Sequence, residues 1–471
     1  MASNQNFARR RLGGLEENVL LDGNEEVVNG VVEIDYVTKK RKKRVGKMKK
    51  LFLLILTVLA TIANVQGLEA QPIIIGVATD TKILDGAATI RGLTLAVEEI
   101  NAAGGVNVAG KKRPFKLEVM DTRDCDAGVP VSEALLVVEK VILEKGADFI
   151  IGPSRSEAAL AALGVISKYK KIYLSTCGVL SPKFHTTIAE NYDKYKYAFR
   201  ITGESGYMAK EAMDLLTHLT SQYGLNRMFI IVQDVAFARA GGEIIGESLK
   251  KKGWEILGYQ RYPTGSTDFS AALLKAKDAG VQVLFIMGDM PELSILINQW
   301  YDMKIPALPF GNYLGPAMEP KFWEVTKGRA AYTIVNVVNA GNAPSNATPL
   351  AMKFYRAYQK RWGTEPEGYG AASGYMAPYV LKDAIERAGT LDPDSLVSAL
   401  EKTDLVGVYG RVRFDPKSHQ IVPSLDPKEG AVGTIFQWQD GKRVVVYPPK
   451  IAMGEIKFPP WMIDYWKMKK K

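Results

Sequence analysis

Gly92-Leu93-Thr94-Leu95-Ala96-Val97-Glu98-Glu99-Ile100-Asn101-Ala102-Ala103-Gly104-Gly105-Val106 comes shortly after the apolar run Ile73–Val77. Leu93, Ala96, Val97 and Ile100 fall at i, i+3, i+4 and i+7, which predicts a helix with one apolar stripe to lay on a sheet. Gly104-Gly105 stops it. A strand, a loop and a packed helix open a βαβ unit.

Outward from this unit, strand-length apolar runs alternate with amphipathic segments, the pattern of parallel sheets covered on both faces. The first half predicts strands Ile73–Val77, Lys116–Met120, Asp148–Ile151 and Ile172–Leu174, separated by helices over 90–101, 131–144 and 157–169. Four strands with right-handed crossovers make one open α/β lobe. The alternation restarts after Phe199-Arg200-Ile201 and builds a second lobe from strands near 228–232, 255–260, 281–287 and 307–310. Helices predicted over 350–362, 375–388 and 396–402 return to the first lobe. Gly433–Gln439 and Arg443–Tyr447, turned by Asp440-Gly441, predict a terminal hairpin on the second. The fold class is therefore α/β, with lobe 1 from 72–200 and 338–405, lobe 2 from 201–337 and 406–450, and a C-terminal tail over 451–471.

Before the first strand, Leu51 to Ala63 is an apolar run of thirteen residues behind Arg41-Lys42-Lys43-Arg44 and Lys47-Met48-Lys49-Lys50. A membrane span needs ~20 apolar residues and a signal-peptide core roughly 7–15, so residues 48–67 are expected to be an export signal, with a buried helix or an uncleaved anchor as the alternative. Residues 1–47 are expected to be an upstream extension or a mis-assigned start, with Met48 as the true one. The chain carries 61 Lys+Arg against 51 Asp+Glu, and the first 67 residues hold twelve of the basic and seven of the acidic ones. The remainder of the chain has the charge of a mildly basic solvated surface, with no nucleic-acid footprint.

Enzyme signatures are missing. No G-x-G-x-x-G follows the first strand, and there is no Walker lysine motif, G-x-S-x-G elbow or H-E-x-x-H. The three histidines, His185, His218 and His419, lie near no second ligand at metal spacing. No catalytic residue, metal or cofactor is expected, and Cys177 is expected to line or pack.

Open α/β sheets bind ligands beyond the carboxyl ends of their strands. The loops there offer Ser154 and Ser156, with Ser156 placed to cap a helix and receive a carboxylate, then Ser175, Cys177 and Gly178. In the second lobe they offer Phe237, Asp289 and Tyr313. These eight are the candidate ligand-binding residues.

From Ile73 to about Tyr447 the sequence resembles the branched-chain amino acid binding proteins of ABC transporters, with the type I periplasmic binding fold. The resemblance is carried by Arg91-Gly92 through Gly105-Val106, by Asp148-Phe149-Ile150-Ile151-Gly152-Pro153 and by Thr267-Asp268-Phe269-Ser270. It implies two Rossmann-like lobes joined by a three-strand hinge, closing on an amino acid or related organic acid or amide that is delivered to a membrane permease. It also implies an exported, periplasmic or cell-surface protein, monomeric or weakly dimeric. A ligand-sensing receptor ectodomain on the same fold is the alternative, and a Rossmann-type enzyme a more distant one.

The family's carboxylate contacts fall near Ser156 and on Ser175 to Val179, and its aromatic contact at Phe237. Cys177-Gly178 lacks a hydroxyl the family commonly has there. The acid that pairs with the ligand's ammonium would fall near Tyr313, which carries no charge, so either Asp289 replaces it or the ligand is not an α-amino acid. In the family's strand order 2-1-3-4, Cys125 and Cys177 follow strands about three spacings of ~4.8 Å apart, beyond the ~7 Å reach of a disulfide, so both thiols are expected to be free.

Overall fold

The computed structural model describes Thr38, residues 40–52, Leu54, residues 71–126 and residues 128–467, in two compact units, 1–69 and 70–471. In the first unit residues 40–52 are helical with exposed side chains. The extension before Thr38, most of the apolar run 51–63 and the segment 64–67 lie outside the described residues. Among the described residues no helix is long and apolar enough to cross a membrane.

The second unit contains two open sheets. Its first half supplies β1 (Ile73–Thr79), a small hairpin β2–β3 (Val106–Val108 and Lys111–Arg113), β4 (Phe115–Asp121), β5 (Phe149–Ile151), β6 (Ile172–Ser175) and β7 (Ala198–Arg200). The first sheet runs β4-β1-β5-β6-β7, all parallel, with Ile73 beside Phe115 at one end and Thr79 beside Asp121 at the other. It has five strands rather than the expected four. β7 is three residues long and wholly buried, too short to show a period, and it pairs with β6 from Tyr173 to Ser175.

The second half supplies β8 (Arg227–Gln233), β9 (Glu255–Tyr262), β10 (Val283–Gly288), β11 (Leu308–Leu314) and β12 (Ile334–Val337). A short pair, β13–β14 (Leu405–Gly407 and Gly410–Val412), precedes the terminal hairpin of β15 (Thr434–Gln439) and β16 (Lys442–Tyr447). The second sheet runs β16-β15-β12-β11-β10-β8-β9. β8 to β12 are mutually parallel, and the hairpin joins antiparallel through β12. β10, an interior strand, is buried at all six positions, whereas edge strand β9 keeps Glu255, Tyr259 and Arg261 exposed. Asp440 (φ 51°) and Gly441 (φ 80°) make the left-handed turn the hairpin needs.

The Leu84–Ala102 helix buries the expected stripe, Leu93, Ala96, Val97 and Ile100. Its partner is a helix as well as the sheet. A Cβ on Gly92 would sit 2.2 Å from the Ala371 carbonyl oxygen, and one on Gly374 would sit 2.4 Å from that of Thr89. The Gly370–Ala388 helix therefore lies against it at backbone contact, which brings the returning helices onto the first sheet's side of the molecule.

The chain crosses between the sheets three times, after β7, after β12 and before β15, and the crossings are bonded to one another. Arg200 N donates to His419 O (3.0 Å) and Ile421 N to Arg200 O (2.9 Å). Ala340 N donates to Val432 O (2.9 Å), Tyr409 Oη to Ile201 O (3.0 Å) and Gln420 Nε2 to Thr202 O (2.7 Å). At the first crossing Arg200 is fully buried, with Nη1 donating to Val179 O (2.8 Å) and Ser181 O (2.9 Å), Nε to Gln420 Oε1 and Nη2 to His185 Nδ1. Only a neutral imidazole accepts from a guanidinium. Burial, then the Arg200 charge, hold His185 below its usual range.

The expected tail over 451–471 is a packed segment as far as Trp466. The Pro460–Trp466 helix buries Met462 completely, Trp461 Nε1 donates to Ile305 O (2.9 Å) and Trp466 Nε1 to Pro306 O (2.7 Å). The basic run beyond it obscured two tryptophans at i and i+5 that need partners for their indole N–H groups.

Met462→Ala should cost about 2–4 kcal/mol in denaturant unfolding, and an unchanged midpoint would return this segment to a solvated tail. His185 has a depressed folded pKa, so the unfolded chain takes the proton first and stability is lost as pH falls below about 6.5. His185→Gln, which keeps an acceptor for Arg200, should therefore make stability fall less steeply between pH 7 and 5; equal slopes would remove His185 from the acid response.

Candidate functional site

The carboxyl ends of β1, β4, β5 and β6 and those of β8, β10 and β11 lie on either side of the three crossings and border a cleft. Tyr313 crosses it. β11 carries an extra residue opposite β10, because Ile286 pairs with Gly311 and Met287 with Tyr313, leaving Asn312 as a bulge. The bulge aims Tyr313 away from its own sheet. Its hydroxyl reaches Asp85 Oδ2 on the Leu84–Ala102 helix at 3.5 Å, and its ring meets Phe237 edge-on, with centroids 5.6 Å apart and planes at 77°. Phe237, in the first turn of the Ala236–Lys250 helix, is 39% exposed.

The first-lobe serines are already engaged. Ser154 Oγ lies 2.6 Å from Thr79 Oγ1 and accepts from Asp80 N (3.1 Å). Ser156 is the first residue of its helix and not the cap, a position Arg155 holds without a side-chain bond; its Oγ accepts from Ser181 N at 3.3 Å. The Arg155 amide is taken by Asp124 Oδ2 at 2.7 Å, so a carboxylate of the chain itself stands where a ligand carboxylate was expected. Ser175 Oγ is buried beside the Tyr173 hydroxyl.

Gly178 adopts φ 71°, a Cβ there would lie 1.5 Å from Ser154 O, and its amide donates to Tyr369 Oη at 2.7 Å. This glycine locks two site loops together. Cys125 and Cys177 are both free. Burial pushes the Cys177 thiol up to about 12 and lifts Cys125 as well, so neither is a thiolate at neutral pH. Asp289 sits exposed at the rim, its backbone N–H donating to Gln233 Oε1 (3.0 Å); surrounding protein raises its carboxyl, while Gln233 and Arg155 pull it down.

One cluster has metal-ligand character, with donor atoms of Asp80, Asp124 and Cys125 within 4.8 Å of one another. Each carboxylate oxygen in it already accepts an internal donor. Asp80 takes Lys82 N (3.0 Å) and Cys125 N (3.0 Å), and Asp124 takes Thr122 Oγ1 (2.6 Å) and Arg155 N. With its thiol held protonated, the arrangement fits loop bracing better than cation binding.

Sequence reasoning missed Asp85, Tyr369 and Asn336. Asp85 was within reach: an acid in the turn before an apolar periodic stripe marks a helix start, but the apolar period alone starts this helix at Ile90. The structure buries Asp85, with Oδ1 accepting from Tyr369 N (2.9 Å) and Gly370 N (3.4 Å). Burial raises its carboxyl to about 6 against the lowering effect of those bonds. Tyr369 and Asn336 carry no local signal. Together with Tyr313 they border a narrow void between the sheets, too tight to hold a water, walled by Met208, Met318, Val337 and Val338. Asn336 Nδ2 donates to Met208 O (3.1 Å) and Asn312 Oδ1 (3.0 Å), which fixes its orientation and leaves Oδ1 buried without a partner among the described residues.

Comparison with known proteins agrees with this architecture. Leu/Ile/Val-binding protein homolog 8 of Brucella abortus (strain 2308) is 24% identical over 390 residues, covering 79% of this chain and 89% of that one. Homolog 7 of Brucella melitensis is 25% identical over 384 residues, covering 79% and 90%. Among solved structures, a Silicibacter pomeroyi protein superposes with a TM-score of 0.72 at 18% identity, over 83% of this chain and all of that one. The substrate binding protein LivJ from Streptococcus pneumoniae, in complex with isoleucine, superposes with a TM-score of 0.62 at 21% identity, over 82% and 100%. The sequence profile described as "Periplasmic binding protein" matches residues 74–441, well over half of the sequence, and the chain belongs to that family.

Proposed function

We propose that this protein is the solute-binding component of an ABC importer, taking an amino acid or a related small organic ligand between its two lobes and presenting it to a membrane permease. The observation that carries this reading is the cleft itself: the carboxyl ends of two parallel sheets, joined by three mutually bonded crossings, with Tyr313 of one lobe touching Asp85 of the other. Such a geometry captures a ligand by hinge closure, with no bond made or broken. The names of the Brucella relatives and the isoleucine complex of LivJ support an amino-acid-like ligand. Family membership supports an extracytoplasmic location.

In this reading Phe237, Tyr313 and Tyr369 supply the aromatic wall, and Ser175, Cys177 and Asp289 border the ligand. Ser154, Ser156 and Gly178 hold the loops in place, since their polar atoms or backbone are bonded internally.

Thermal-shift screening against amino acids, organic acids and amides tests the reading. A ligand at 100 times its dissociation constant should add about 2.7 kcal/mol of stability. Silence from every such compound, with a shift from a nucleotide cofactor, would overturn it. Phe237→Ala removes a ring that is 39% exposed, so it should weaken the ligand found by about tenfold while leaving the melting temperature of the free protein within about a degree.

A further inference from the structure

We propose that Asp85 is the cation-binding residue of the cleft, its carboxylate receiving a protonated amine of the ligand, and that this contact rests on the importer reading above. Asp85 is 6% exposed, and its carboxylate is unevenly satisfied. Oδ1 accepts two backbone amides, whereas Oδ2 has only the Tyr313 hydroxyl at 3.5 Å, the outer limit of a hydrogen bond. Asp85 makes no ion pair among the described residues, although Glu98 on the same helix pairs with Arg361, and Arg91 with Glu367. The charged residue that acts on it is Glu319, of the same sign.

A buried carboxylate without a counter-charge is costly, and a cation offsets that cost. The backbone preserves the arrangement: Gly368 (φ 51°) passes so close that a Cβ would lie 2.0 Å from Asp85 Oδ1.

A second, independent feature asks for the same ligand chemistry. Asn336 Oδ1 is a buried acceptor without a partner among the described residues, on a residue bordering the void that Tyr313 and Tyr369 also border. Both features call for N–H donors. The rings of Tyr313 and Phe237, packed edge-to-face beside the acid, add a surface that attracts cations. A protonated amine meets all three demands, and a carboxylate or an apolar side chain meets none.

The groups facing Asp85 are Tyr313 from β11, Glu319 beyond it, Tyr369 ahead of the Gly370–Ala388 helix and Cys177 after β6. Burial pushes the phenols and the thiol up, so they stay neutral through pH 8. Asp85 is left to titrate near pH 6, and burial raises the Glu319 carboxyl as well. An amine binds the ionised form of Asp85, so affinity should rise as pH rises through about 6 and level off above it.

Calorimetric titration with leucine, lysine, 3-methylbutylamine, 4-methylpentanoate and 4-methylpentanamide, at pH 5, 6 and 7.5, tests this. The expected result is binding confined to amine-bearing probes. Lysine above leucine would assign the contact to a side-chain amine, and leucine without 3-methylbutylamine or lysine to the α-ammonium. Below pH 6 the affinity should fall by about tenfold per unit, with proton release visible as a dependence on buffer ionisation heat. Asp85→Asn keeps an acceptor for the Tyr369 and Gly370 amides. It should melt no lower than the native protein at pH 7.5, weaken the amine probe by about 30-fold or more and flatten its pH profile. Binding of the amine-free acid or amide as tight as that of leucine, or native affinity in Asp85→Asn, overturns the assignment and leaves the importer reading standing. If none of the probes binds, and the wider panel of amino acids, acids and amides is silent too, the importer reading falls and the assignment with it.

Discussion

Three chain segments bonded to one another, around Ile201–Gly203, Val338–Ala340 and His419–Val432, are the constraint on which the rest of this structure depends. Each sheet buries its parallel strands against helices and could form its own core, but neither fixes where its carboxyl edge points relative to the other. The crossings do. Ala340 N to Val432 O, Gln420 Nε2 to Thr202 O and Tyr409 Oη to Ile201 O hold three chain segments in one layer, so the two lobes can move together or apart but not slide freely. Arg200 extends that layer into the site, because the same guanidinium bonds Gln420 of the third crossing and the carbonyls of Val179 and Ser181 in the loop after β6.

Two buried charges near this layer are handled in opposite ways. Arg200 is surrounded by acceptors on every side, and although burial lowers its pKa to about 10 it remains protonated at neutral pH. Asp85 has two backbone donors on one oxygen and only the distant Tyr313 hydroxyl on the other. Moving its pKa from 3.8 to about 6 corresponds to about 3 kcal/mol held against the ionised form at neutral pH. The folded state binds this proton more tightly than the unfolded one, so its contribution favours acid: stability is lost as pH rises from about 4 to 6, opposite in sign to the His185 effect. The first charge belongs to the frame, and the second is a cost placed in the cleft.

Wherever period and length agreed, the sequence was legible. The stripe Leu93, Ala96, Val97, Ile100, the parallel strands of both sheets, the returning helices and the Asp440-Gly441 hairpin all carry local patterns strong enough to survive tertiary packing. What escaped has a common physical cause. β7 and the β2–β3 hairpin are three-residue strands that exist through their pairing, and the Pro460–Trp466 helix is held by indole bonds to Ile305 and Pro306, more than 150 residues away in sequence. The glycine seam between Gly92 and Gly374 looks, in sequence, like two weak helix positions, and only the partner helix explains them.

The cleft was half legible for the same reason. Residues at strand ends, from Ser154 to Tyr313, could be named from position alone, because the carboxyl edge of a parallel sheet is set by topology. Their roles could not, because a role depends on which donor is already occupied. Ser154 and Ser156 satisfy neighbours, and Asp124 fills the end of the helix that a ligand carboxylate was expected to use. Tyr313 gained its orientation from a one-residue bulge that no alternation of apolar residues announces. The Tyr313–Asp85 contact at 3.5 Å is too long to latch the lobes by itself, so closure has to draw its free energy from a ligand that binds the closed arrangement better than the open one. A cleft whose two lobes meet through a phenol and an under-satisfied carboxylate is built to gain that difference from a donor placed between them.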